Sequence, residues 1–220
     1  MDRSNQFQFE WITDWDTVYS EYFQQQWLDW HNASEANHVF FHPALCMAWI
    51  ATYRPLRDIE PLFCVARKND LLIFIPLIYW KRNWKNAFQR LIVPVGYSDF
   101  DYHDPLCLGL PQKNEIDRFW FEVNRELKKR IKFEKLVIDG LHKQWISPDM
   151  TIISTERCPH IRLTDINSAE EFKQTLPIKL RHDLSRRMRR LRELGDVEFK
   201  IFEKTESKEA LSELEEFLQF

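Results

Sequence analysis

Between Asp99 and Asp104 the chain sets three carboxylates and one imidazole within six residues: Asp99, Asp101, His103 and Asp104, with Tyr102 among them. Two kinds of chemistry need such a set. A general base takes a proton in the transition state, and carboxylates and imidazoles are its usual carriers. A hard-cation site gathers several oxygens on one ion. The same composition also serves turns, because Asp side chains accept hydrogen bonds from their own backbone. Asp99, Asp101, Tyr102 and His103 are the candidate substrate-binding residues of this loop.

A second candidate is the stretch Lys179 to Arg192, which carries one Lys and six Arg against the single acid Asp183. Leu180, Leu184, Met188 and Leu191 recur there at helical spacing. Arg181, Arg186 and Arg190 are the candidate anion contacts. Three uses remain open: a solvated face pairing with acids of a neighbouring domain, a grip on a phosphate-bearing small molecule, or approach to nucleic acid or an anionic membrane.

Other patterns carry less. Asp99-Phe100-Asp101 matches the D-x-D of metal-dependent glycosyltransferases, but no nucleotide-binding unit accompanies it. His38, His42 and Cys46 step by four, yet Pro43 forbids one helix through all three, so structural roles are expected. The tryptophans near the start of the chain read as core rather than as a base-stacking surface. Four cysteines, Cys46, Cys64, Cys107 and Cys158, form no CxxC or CxH pattern, so neither a disulfide framework nor a zinc site is expected. The four glycines, Gly96, Gly109, Gly140 and Gly195, lie too far apart for a Gly-rich phosphate loop of any kind.

The whole chain limits the partners. A composition 44% hydrophobic and 15% aromatic can bury a core, and a net charge of −3 supplies no global field toward nucleic acid. The opening residues lack the basic and apolar regions of a signal peptide. The longest apolar run, Leu71 to Trp80, is too short to span a bilayer and contains Pro76. A cytoplasmic protein with no transmembrane segment and no nucleic-acid partner is the expectation.

Elements must position these residues. Apolar spacing predicts helices over Trp15 to Trp30, with Asp14 as cap, and over Pro43 to Tyr53, with Pro43 in the first turn. Pro61 to Lys68 and Leu71 to Lys81 read as a hairpin turning at Asn69-Asp70, with Pro76 forcing a bulge or an edge position. A strand over Arg90 to Val95, a helix over Glu115 to Ile131, and strands over Lys135 to Asp139, Thr151 to Ser154 and His160 to Leu163 follow. Ser168 to Glu171 reads as a capping box, Pro177 opens the basic helix, and Gly195 is a candidate C′ residue. Val197 to Phe202 alternates like a strand, and Ser207 to Phe220 reads as an amphipathic helix.

Val39-Phe40-Phe41-His42-Pro43 with the Trp49 helix, the Phe74-Ile75-Pro76-Leu77 strand, the Gly96 to Leu106 loop, and Leu180 to Leu194 before Gly195 follow one another in an order that resembles the CelD-like (cellulose-biosynthesis) branch of the GNAT acyltransferases. That branch is related to the FemAB aminoacyltransferases. The resemblance implies two GNAT-like halves, the first degenerate and the second carrying acyl-CoA. It implies an α/β fold whose sheet is mixed and mostly antiparallel with flanking helices, in a degenerate GNAT-like domain over residues 6–164. A helical connector over 165–195 and the start of a second GNAT-like domain over 196–220 would follow. The implied activity is acyl transfer to an amine or hydroxyl acceptor, a small molecule or a glycan precursor of the cell envelope. Such enzymes hold the CoA pyrophosphate on a Q/R-x-x-G-x-G/A loop, which this chain lacks. The expectation is therefore no metal and no cofactor in these residues, no assignable catalytic residue, and a C-terminal GNAT-like half that supplies acetyl-CoA or another acyl-CoA.

Overall fold

The computed structural model describes residues 6–35, 38–82, 88–156 and 166–198. The chain divides into two units, Met1–Ser154 and Thr155–Phe220. Among the described residues it is an α/β protein with two mostly antiparallel sheets and six helices.

The first strand of unit 1 has no helical spacing to mark it. Gln8, Phe9, Glu10, Trp11 and Ile12 alternate polar and apolar, and they form β1 (Gln8–Ile12). The helix expected over Trp15 to Trp30 is two helices, α1 (Trp15–Tyr19) and α2 (Glu21–Ala33), broken at Ser20. Ser20 does both jobs: its N–H closes α1 on the carbonyl of Thr17 at 3.1 Å, and its Oγ accepts the Phe23 N–H at 3.2 Å to start α2. Asp14 caps α1 as expected, accepting the Thr17 N–H at 2.7 Å. Helix α3 (Pro43–Tyr53) follows a short 3-10 turn at Val39–Phe41, with Pro43 in its first turn.

One long hairpin then builds both sheets. Its arms are β2 (Ile59–Pro61) with β3 (Phe63–Lys68), and β4 (Leu71–Ile75) with β5 (Leu77–Lys81). The turn is at Asn69, whose φ of 52° lies in the left-handed region that Asn tolerates better than most residues. Pro76 was expected to bulge or to sit at an edge. Instead it is where the strand changes sheets. Without an N–H, Pro76 cannot continue the ladder, and the partner arm changes sheets at Leu62, opposite the next residue, where its N–H bonds the Leu77 carbonyl at 2.9 Å.

The first sheet, order β1-β3-β4-β7, is antiparallel throughout and takes β7 (Leu106–Leu108) at its end, pairing Phe74 with Leu106. The second, order β2-β5-β6-β8, contains β6 (Arg90–Pro94) and β8 (Lys135–Leu136), and that pair is parallel. A parallel pair needs a crossover. Here it contains α4 (Lys113–Arg130), with Lys128, Lys129 and Arg130 in its last turn. The strand expected over Lys135 to Asp139 is shorter than the pattern implied, and Thr151 to Ser154 forms no strand.

The core explains the aromatic composition. Trp27 of α2 is fully buried, with ring centroids 5.5 Å from Phe63 and 5.2 Å from Phe74, and its Nε1–H reaches the Phe41 carbonyl at 3.0 Å. A buried Trp needs such a partner for its one donor. Cys46, Cys64 and Cys107 are free and buried, and burial pushes their thiols up, which makes them unreactive.

In unit 2, Ser168 caps α5 (Ala169–Thr175) by accepting the Glu171 N–H at 3.1 Å, while the Glu171 carboxylate reaches the N–H of Asn167 at 2.9 Å. Pro177 precedes α6 (Ile178–Leu194), as expected. Gly195 is extended there, with φ 162° and ψ −178°, rather than a left-handed C′ residue. The expected strand over His160 to Leu163, the body of the expected strand over Val197 to Phe202, and the expected helix over Ser207 to Phe220 lie outside the described residues. Among the described residues, no helix is long and apolar enough to cross a membrane.

Candidate functional site

Because β6 and β8 run parallel side by side, the segments leaving their C-terminal ends emerge together. Ligands of open α/β sheets are commonly found outside the carboxyl ends of such strands. The first segment is the Asp-rich loop, 95–105, and the second is 137–142. The 3-10 turn 39–41 and the start of α3 complete the surroundings.

The clustered acids of the loop do not converge. Asp99 accepts the Trp49 Nε1–H at 2.7 Å, Asp101 is exposed, and Asp104 is buried against residue 142. Asp99 and the neighbouring Phe100 also turn back on the Gly96 carbonyl, at 2.8 and 2.9 Å, so part of this loop is turn chemistry. Among the described residues no group of three or more His, Cys, Asp or Glu could hold a metal ion.

His103 is wholly buried between strand ends. Its backbone N–H donates to the Gly140 carbonyl at 3.1 Å, and its Nδ1 lies 3.0 Å from both the backbone carbonyl and Oδ1 of Asp139. Burial pushes the Asp139 carboxyl up, but the His103 hydrogen bond and charge, with the Ser98 N–H at 3.1 Å, outweigh it and hold the group below the usual carboxylate range. The His103 Nε2 is buried without a hydrogen-bond partner among the described residues.

Asp104 organises the outer part. Its Oδ1 accepts the His142 backbone N–H at 2.8 Å, its Oδ2 meets His142 Nδ1 at 2.5 Å, and its carbonyl lies 3.1 Å from Nε2 of His38. The Tyr102 ring stacks on His142, centroids 4.9 Å apart and planes 15° from parallel. Burial holds the His38 imidazole below the ordinary histidine value, against the pull of Asp104. Spacing in the sequence could not reveal His142, Asp139 or Trp49 as partners, because they lie about 36 to 50 residues from the loop residues they serve, Asp104, His103 and Asp99. His38 and His42 have the structural roles expected: His38 holds the Asp104 carbonyl, and His42 caps α3 by accepting the Ala44 N–H at 3.2 Å.

A cationic stack adjoins the loop through Trp49. The Arg57 guanidinium lies 4.0 Å from the Tyr53 ring centroid, 4.8 Å from Trp80 and 5.7 Å from Trp49. Such contacts fix an arginine over aromatic faces at a gain of about 0.5 to 2 kcal/mol.

The start of α4 is closed. The Gln112 N–H donates to the Glu115 carboxylate at 3.0 Å, and Lys68 binds the same carboxylate at 2.9 Å. The Lys68 contact first, then Gln112, holds Glu115 below its ordinary value.

In unit 2, Arg181, Arg186 and Arg190 share α6. Arg186 pairs with Asp183 at 2.9 Å, Arg181 is half-buried, and Arg190 is exposed. Leu180, Leu184 and Leu191 remain exposed along the same helix. Comparison with protein-family models, curated proteins and solved structures returns no significant match.

Proposed function

We propose that unit 1 is the degenerate half of a CelD-like, FemAB-related GNAT acyltransferase, carrying the acceptor while a further GNAT-like half binds acyl-CoA. The acceptor is an amine or hydroxyl compound, with a glycan precursor of the cell envelope as the leading candidate class. Supporting the GNAT-like reading are the mostly antiparallel sheets with one parallel pair spanned by α4. The observation that carries the division of labour is the α4 start. A helix N-terminus binds pyrophosphate by offering open N–H groups and positive potential. Here the Glu115 carboxylate, paired with Lys68, occupies the Gln112 N–H and stands where the phosphates would approach. On this reading α6 belongs to the connector between the halves.

Calorimetric titration of the 220-residue chain with acetyl-CoA is the direct test. No binding is expected. A low-micromolar dissociation constant, about 8 kcal/mol of binding free energy, would refute the assignment.

A second reading has its own observation. Helix α6 leaves Leu180, Leu184 and Leu191 exposed beside its row of arginines, the composition of a module that contacts an anionic partner such as nucleic acid, a membrane surface or a phosphorylated ligand.

A further inference from the structure

The Asp104–His142 pair is more than the loop needs in order to stay closed. A structural clasp would be complete with the carboxylate on the His142 backbone N–H alone. Instead the second oxygen takes the ring Nδ1, so one buried carboxylate fixes both the main chain and the imidazole of the same residue. The two side chains differ sharply in exposure, 5% for Asp104 and 55% for His142. Burying a carboxylate costs several kcal/mol unless hydrogen bonds compensate it. Asn in its place could accept from the backbone without that cost, but it would not hold a ring proton on Nδ1 or stabilise an imidazolium.

We propose that His142, oriented by Asp104, is a general base that takes the proton of an acyl acceptor's hydroxyl or amine. The arrangement has the parts this role requires. With Nδ1–H donated to Asp104, the lone pair sits on Nε2, the tautomer that can accept a proton. No hydrogen bond to Nε2 occurs among the described residues. Tyr102, stacked at 4.9 Å, blocks rotation of the ring. His38 holds the Asp104 main chain from the other side at 3.1 Å, so the carboxylate itself is positioned.

The step rests on the acyl-transfer reading. The acceptor oxygen or nitrogen attacks the carbonyl carbon of an acyl thioester as its proton passes to Nε2. The carbon–sulfur bond breaks, the imidazolium is stabilised by Asp104, and the proton leaves with the thiolate. Asp104 is a positioning residue, and His142 is the proton acceptor.

The test does not need the acyl-CoA half, and so it can fail independently of the acetyl-CoA titration. Hydrolysis of p-nitrophenyl acetate by the full chain is followed from pH 5 to 8, alongside long-range proton–nitrogen NMR of the histidine rings. Wild type should show His142 as the Nδ1–H tautomer and release p-nitrophenolate above the buffer rate. His142→Gln should fall to the level of buffer, and Asp104→Asn at least tenfold below wild type. His182→Gln, in unit 2, should change nothing. An unchanged rate in His142→Gln would overturn the proposal. An Nε2–H tautomer in wild type would also overturn it, and that measurement decides the matter even if the variants do not fold.

Discussion

Gly140→Ala tests whether the two loops beyond β6 and β8 are held by close backbone contact. Gly140 has φ +60°, and a Cβ there would lie 2.3 Å from the Asp101 carbonyl oxygen, 3.0 Å from its carbon and 3.2 Å from the Tyr102 Cα. All three are main-chain atoms, so no side chain can swing away to relieve the overlap. The left-handed conformation alone costs an L-residue about 1 to 2 kcal/mol. Separating the loops also breaks the His103 N–H to Gly140 contact and the two Asp104 to His142 bonds, at about 1 kcal/mol each. The expected loss is about 4 to 5 kcal/mol. Gly109→Ala is the control, with φ +87° but nothing closer than 3.5 Å, so only the conformational cost of about 1 to 2 kcal/mol applies. Every Trp lies between Trp11 and Trp145, so tryptophan fluorescence during urea unfolding reports on unit 1 alone. With a slope of about 2 kcal/mol per molar urea, the midpoint should fall by about 2 to 2.5 M for Gly140→Ala and by no more than about 1 M for Gly109→Ala. Equal shifts would refute the argument from contact.

Two further outcomes are expected. His38 is half-buried, and burial lowers its value, so the unfolded chain binds its proton more readily below the ordinary histidine value of about 6.5. Its contribution is present above that pH and is lost as pH falls toward the folded value; in His38→Gln the pH dependence of urea stability over that window should flatten, and an unchanged slope contradicts the assignment. For α6, the chain should elute from a heparin column at higher salt than Arg186→Gln/Arg189→Gln/Arg190→Gln, because released counterions make polyanion binding steeply salt-dependent; co-elution of the two would remove the anionic-partner reading.

Local physics made several elements legible. Asp14 and Ser168 act as caps because their oxygens can accept only from N–H groups a turn away, and Pro43 suits a first turn whose N–H has no partner in any case. Asn69 announced a tight turn for the same local reason, and the absence of paired glycines excluded a phosphate loop without any structure. Ser20 was equally readable as a cap, but continuous apolar spacing on both sides concealed the break. What Pro76 does could not be read from the strand that contains it, because a proline's missing N–H ends a ladder without saying which sheet follows. That depended on the partner arm leaving its own sheet at Leu62, which faces the neighbouring Leu77 across the hairpin. The same holds for the site. Composition marked the segment Asp99 to Asp104 as chemical, yet its acids separate toward Trp49, solvent and His142. Asp139 and His142 arrive only because β8 returns parallel to β6 and brings residues 139–142 beside the loop. Side-chain type is a local property, whereas the pairing of a carboxylate with an imidazole 38 residues away is decided by strand order.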